Sequence, residues 1–282
     1  MEPPKNIEFQ KRLIMFHAIN GQTNVNGEVT DYIRFGKGKH YLVMIPGVGD
    51  GLKTVKGMAL PFALLYRNLT KDFTVYVFSR PVNLKPKTST EDMAESLFKS
   101  MKSVGINKAF IVGVSQGGMI AQHLTLKYPD LVAKLVLVVT LSHPNPTVNS
   151  VISRWLEMAE RDDYKSIMLS TAELSYTPQK LKSSKHIYNI ISNLGKPKSL
   201  ERFIIQANSC ITHNTYERLS EIQCPTLVIG GSEDKIVTGE ASKEIAEKIV
   251  GAELLVYEGF GHGLYEEAKD FLKVVSSFLL DK

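Results

Sequence analysis

The sequence predicts an α/β protein, a doubly wound and mostly parallel sheet with an inserted all-helical cap. Three observations carry that expectation. Short apolar runs of strand length alternate with stretches of helical period. One strand-to-helix junction holds a Gly-x-Ser-x-Gly pattern, Gly113-Val114-Ser115-Gln116-Gly117. Between His143 and about Ile222 the alternation stops and only helical patterns remain.

In chain order, residues 5–19 read as a short helix. Gln22–Val25 and Val29–Phe35, split by Asn26-Gly27, read as an antiparallel hairpin at the sheet edge. Tyr41–Ile45 is a buried strand ending at Pro46-Gly47, and Phe73–Phe78 is a second. Residues 88–104 place Met93, Leu97, Phe98 and Met101 at helical spacing. Residues 109–114 form a strand, and 116–128 a helix with Met119, Ile120, His123 and Leu124 on one face. Leu135–Leu141 is the next strand. In the helical stretch, Thr147 is placed to cap one helix, Thr177-Pro178 to start another and Ser199 to cap a third. Pro225–Gly230 and Ala252–Tyr257 are strands flanking a helix over 239–249, and a last helix covers about 264–280. The expected division is a core of residues 1–142 and 216–282 with a helical cap over 143–215.

Composition narrows the function classes. A chain of 282 residues with 43% hydrophobic content can bury a large core. Cys210 and Cys224 match no metal spacing and allow no disulfide framework, so a reducing, cytoplasmic setting is expected. The start of the chain lacks the apolar core of a signal peptide, and no apolar run nears the ~20 residues that span a bilayer. The formal charge is +5, but the lysines are scattered; Lys180, Lys182 and Lys185 come nearest to a cluster. Neither a nucleic acid nor a membrane is an expected partner.

A serine at a sharp strand-to-helix turn has its hydroxyl lifted above the sheet. An alcohol is a poor nucleophile at neutral pH, so Ser115 needs a base, and the base needs a carboxylate to fix its tautomer. In such a fold the acid follows a later strand and the histidine follows the last one. Asp234, in Gly231-Ser232-Glu233-Asp234, is the candidate acid, with Glu233 as its rival. His262, in Gly261-His262-Gly263, is the candidate base. The oxyanion donors are assigned to the N–H groups of Val48 and Gln116. Gly47, His143, Trp155 and Met158 are candidate substrate contacts. Asp50 and Lys53 read as a turn with a local ion pair, and His123 as a core residue. His17, His40, His186 and His213 form no metal-like spacing.

At these residues the chain resembles the α/β-hydrolase superfamily over nearly its whole length. Met44-Ile45-Pro46-Gly47-Val48-Gly49 is similar to the family's oxyanion loop, Val112–Gln122 to its elbow and following helix, and residues 222–230 to its return from cap to sheet. Within the superfamily the chain is most similar to capped bacterial carboxylesterases and enol-lactonases. Two departures stand out. Pro46 replaces a frequent histidine, and Ser79-Arg80-Pro81-Val82-Asn83-Leu84 replaces a frequent Asp-x-Arg-Gly-x-Gly.

The resemblance implies a serine hydrolase acting through an acyl-enzyme on a small, fairly hydrophobic acyl or aryl ester or lactone. No metal or organic cofactor is implied. The expected partner is that small-molecule ester, with a homodimer left open. Carbon–carbon bond hydrolysis on the same fold is the alternative, as is ligand binding without turnover. A dinucleotide site at Gly47-x-Gly49 is disfavoured because Leu52 occupies the third glycine position.

Overall fold

The computed structural model describes residues 12–183 and 195–281. Eight strands form one sheet in the order β1-β2-β4-β3-β5-β6-β7-β8. They are β1 (Ile19–Val25), β2 (Glu28–Phe35), β3 (His40–Ile45), β4 (Phe73–Pro81), β5 (Ala109–Val114), β6 (Val132–Val138), β7 (Thr226–Gly231) and β8 (Glu253–Tyr257). Only β2 runs against its neighbours; β3 through β8 pair in parallel.

Alternation along each strand builds two cores. Val43, Ile45, Tyr76, Phe78, Ile111, Leu135, Leu137 and Val228 face one side. There they meet α2 (Thr90–Ser103), α3 (Gln116–Lys127) and α7 (Gly239–Lys248). Leu42, Met44, Val75, Val77, Val112, Val136, Val138 and Ile229 face the other side, under α1 (Ala59–Leu65) and α9 (Phe271–Leu280). Burial on both faces explains why the parallel strands are apolar throughout.

Between β6 and β7 lie α4 (Pro146–Glu160), α5 (Tyr164–Ser175), a helical run at 178–183 and α6 (Glu201–Ile211). The apolar sides of α4, α5 and α6 share one cluster with Met119 of α3 and with Ile236 and Val237 beyond β7. The insert therefore packs across the carboxyl edge of the sheet. Gly51, in the loop after β3, shows how close that packing is: a β-carbon there would stand 2.6 Å from the Phe203 Cα.

Several boundaries differ from the sequence expectation, each for a local reason. The helix starts at Thr90, because Ser89 and Asp92 form a capping box there. The insert's first helix is capped by Asn145, whose side chain accepts the Val148 N–H, so Thr147 lies inside it. β6 begins at Val132 and ends at Val138, because Val139 turns to φ 43°. The predicted last helix is two, a short α8 (Leu264–Glu267) and α9, broken where Ala268 is extended. Of residues 5–19, 12–15 are helical and the strand begins at Ile19; residues 5–11 lie outside the described residues. So do Lys185 and His186.

Candidate active site

Ser115 sits alone between β5 and α3 with φ 54° and ψ −122°. A side chain in that region is strained, and the surroundings must hold it. They do so from both sides. The Ser115 N–H donates to the Val138 carbonyl at 2.9 Å, and the Thr140 hydroxyl donates to the Ser115 carbonyl at 2.8 Å. Val139, a β-branched residue with positive φ, makes the turn that brings Thr140 there. The helix must also start close to β3: a β-carbon on Gly117 would lie 2.0 Å from the Ile45 carbonyl oxygen. Only glycine fits.

The turns after β7 and β8 are laced together. Ser232 N–H donates to Tyr257, Glu233 N–H to Phe260, and Gly259 N–H to the Ser232 hydroxyl. This lacing carries the Gly-rich loop back over the β7 turn, so His262 Nδ1 lies 2.8 Å from Asp234 Oδ2. The other carboxylate oxygen accepts the N–H groups of Ile236 at 2.8 Å and Val237 at 3.0 Å. Burial alone would raise the Asp234 pKa. The charge and hydrogen bond of His262, with the two backbone donors, outweigh it and hold the carboxyl below its usual range. Glu233, the rival acid, is exposed.

Ser115, Asp234 and His262 thus follow β5, β7 and β8 at the same carboxyl edge. Among the described residues no hydrogen bond joins Ser115 Oγ to His262 Nε2.

The loop after β3 lies against Ser115. Gly47 lies close to it, since an added β-carbon would be 3.3 Å from Ser115 Cβ, a tight contact. Val48 starts a short 3-10 turn, and Gln116 starts α3. Among the described residues neither N–H donates to a protein acceptor.

Beneath this loop lies a buried polar network that sequence reasoning missed. Asp50 Oδ2 accepts the Arg80 N–H at 3.1 Å, the Gln206 side chain at 3.3 Å and Arg202 Nη2. Arg202 also donates to the carbonyls of Asp50, Arg80 and Pro81. Arg80 Nη2 donates to the Pro46 carbonyl and, at 3.0 Å, to Gln116 Oε1. Gln116 Nε2 in turn donates to the Gln206 carbonyl at 2.7 Å. The predicted turn at Asp50–Lys53 is present as a 3-10 turn, but its local ion pair is corrected: Asp50 pairs with Arg202 of the insert, and Lys53 is exposed. The available signal was an arginine at the end of an apolar strand, Tyr76-Val77-Phe78-Ser79-Arg80.

Trp155 and Met158 belong to the insert's apolar cluster, against which Val48 also packs. Trp155 is 2% exposed inside the insert, its indole N–H donating to Ser170 at 3.1 Å. Met158 is half-buried against the same cluster. His143 packs edge-on to Tyr216 at 4.7 Å and sits 3.4 Å from the Ser142 hydroxyl. His123 lies edge-on to His213 at 5.1 Å. Among the described residues no cluster of His, Cys, Asp and Glu could hold a metal ion, and no helix is long and apolar enough to cross a membrane.

The family described as alpha/beta hydrolase fold matches residues 41–269. A 2-hydroxy-6-oxononadienedioate/2-hydroxy-6-oxononatrienedioate hydrolase of Klebsiella pneumoniae is 27% identical over 263 residues, covering 86% of this chain and 88% of its own. Two solved structures share the fold. An α/β-hydrolase enzyme from a Medee basin deep-sea metagenome library superposes with a TM-score of 0.84 at 21% identity, covering 93% of this chain and 98% of its own. The enol-lactonase of Burkholderia xenovorans LB400 does so with a TM-score of 0.81 at 19% identity, covering 93% and 100%.

Proposed function

We propose that this chain, which belongs to the α/β-hydrolase family, is a serine hydrolase of neutral carboxylic esters or lactones. The observation that carries this reading is the Asp234–His262 pair at the same sheet edge as a strained Ser115. In this reading Ser115 Oγ attacks the carbonyl carbon while His262 Nε2 takes its proton. Asp234 holds the imidazole in the right tautomer and stabilises its cation. The Val48 and Gln116 N–H groups receive the oxyanion, helped by the N-terminus of α3. The tetrahedral adduct collapses, the C–O bond breaks, and the alcohol leaves with the proton from His262. Water then attacks the acyl-enzyme with His262 as base, which regenerates Ser115.

A helical cap over residues 143–215 belongs to the same proposal, and its apolar cluster suits a hydrophobic acyl or aryl group. A cytoplasmic setting belongs to it too, since Cys210 and Cys224 are both free.

Carbon–carbon bond hydrolysis is the second reading, favoured by the Klebsiella relative. That relative's named substrate is a dioate, which needs cationic partners. Here Arg80 is buried and Arg202 is committed to Asp50 and three carbonyls, which favours a neutral substrate. Hydrolysis of p-nitrophenyl esters of rising acyl length, beside Ser115→Ala, tests the proposal. Turnover that depends on Ser115 supports it. Cleavage of a 2-hydroxy-6-oxodienoate, with no ester turnover, selects the second reading.

A further inference from the structure

Arg80 owes its position to a sheet irregularity. Thr30 pairs with Pro81, but Tyr32 pairs with Phe78, so β4 carries one residue more than β2 across this interval. Such a bulge re-aims side chains. Here the Arg80 side chain lies in the interior, where the residue is only 3% exposed. Its Nη2 donates to both the Pro46 carbonyl and Gln116 Oε1. One nitrogen therefore bridges the loop that bears Val48 and the residue that bears the second N–H donor. The backbone of Arg80 is itself held by Asp50, and Asp50 by Arg202 of α6.

This arrangement is costly for stability alone. Arg80 Nε and Nη1 have no partner among the described residues. Burial pushes the guanidinium pKa down to about 10, against the pull of Asp50. A buried cation with unmade hydrogen bonds is destabilising relative to an apolar side chain of similar volume. The contacts it does make reach both sides of the oxyanion site.

We propose that Arg80 is a positioning residue that sets the spacing of the Val48 and Gln116 N–H groups for a tetrahedral oxyanion. This inference rests on the ester-hydrolase reading. It makes Arg80 matter more to the transition state than to the ground state, so its loss should appear in kcat rather than KM.

The experiment compares wild type, Arg80→Met, Arg80→Lys and Gln116→Ala on one p-nitrophenyl ester, together with inhibition by an alkyl boronic acid that forms a tetrahedral adduct. Removing an oxyanion donor or misplacing a reacting group costs on the order of 100-fold in kcat. Arg80→Met should approach that loss, with KM within about threefold and boronate affinity falling in parallel with kcat/KM. Arg80→Lys, which keeps the charge and can reach one acceptor, should recover part of it. Gln116→Ala removes the bridge but keeps the N–H, and should lower kcat about tenfold. It carries the test if neither Arg80 variant folds. Folded variants with kcat and boronate affinity within about threefold of wild type, or with a change confined to KM, overturn the inference and leave the ester reading standing. A wild type without ester turnover or boronate inhibition removes that reading and this inference with it.

Discussion

His262 Nδ1 faces Asp234 Oδ2 at 2.8 Å, while the second oxygen of Asp234 is occupied by two backbone N–H groups. The carboxylate is thus fixed on one side by the chain and free on the other only for the imidazole. Asp234→Asn keeps the shape but offers an N–H where the imidazole needs an acceptor. The expected result is a loss of roughly 10⁴-fold in kcat with little change in KM. Steady-state kinetics check it; a loss below about tenfold would remove Asp234 from the mechanism.

Ser115 carries backbone strain that glycine would not. Ser115→Gly and Ser115→Ala should both be inactive, yet differ in stability. Strain of this kind costs about 1–3 kcal/mol, and glycine's extra unfolded-state entropy offsets roughly 0.5–1 kcal/mol of the relief. Glycine should therefore be the more stable variant by about 1 kcal/mol. Urea denaturation reads the difference directly, and equal midpoints would mean that the elbow is relaxed.

His213 supplies a pH dependence. It is buried between Thr90 and Thr215, beside His123. Burial, reinforced by the charges of His123 and His143, holds its pKa well below 6.5. The unfolded chain takes up this proton near 6.5 and the folded chain only at lower pH, so the unfolded state binds more protons in between. Stability from this site is complete above 6.5 and declines as pH falls below it. The urea midpoint of wild type should drop between pH 7.5 and pH 5.5, and that of His213→Gln should drop less. Parallel drops would show that the imidazole titrates alike in both states.

Trp155 packs within the insert, so its replacement should change stability and not substrate affinity. Trp155→Phe leaves the Ser170 hydroxyl without the indole donor, at a cost of about 1–2 kcal/mol. KM for an aryl ester should stay within about twofold. A tenfold rise in KM would place the indole against the substrate instead.

What was legible in the sequence was local. Gly113 announces its own turn, because a β-carbon there would strike Gly117 and Gly118, a few residues on, whereas the crowding at Gly117 comes from Ile45, a distant residue. That Asp234 and His262 come together was readable from chain order, since each follows a strand of a parallel sheet at the same edge. The polar network was not readable, because Asp50 meets Arg80 across 30 positions and Arg202 across 152. The sequence showed a departure at Ser79–Leu84, but not that a bulge turns Arg80 inward. Nor could periodicity say whether Trp155 faces the core of the insert or a substrate, since both are apolar surroundings.

Ser115 as the nucleophile is the central claim, and intact-mass analysis after treatment with an alkyl fluorophosphonate tests it most directly. The expected result is one adduct per chain, mapped by peptide sequencing to Ser115, absent from Ser115→Ala and formed in step with the loss of ester hydrolysis. Folded protein that hydrolyses esters equally well as Ser115→Ala, or that takes the label elsewhere while Ser115 stays unmodified, would contradict it.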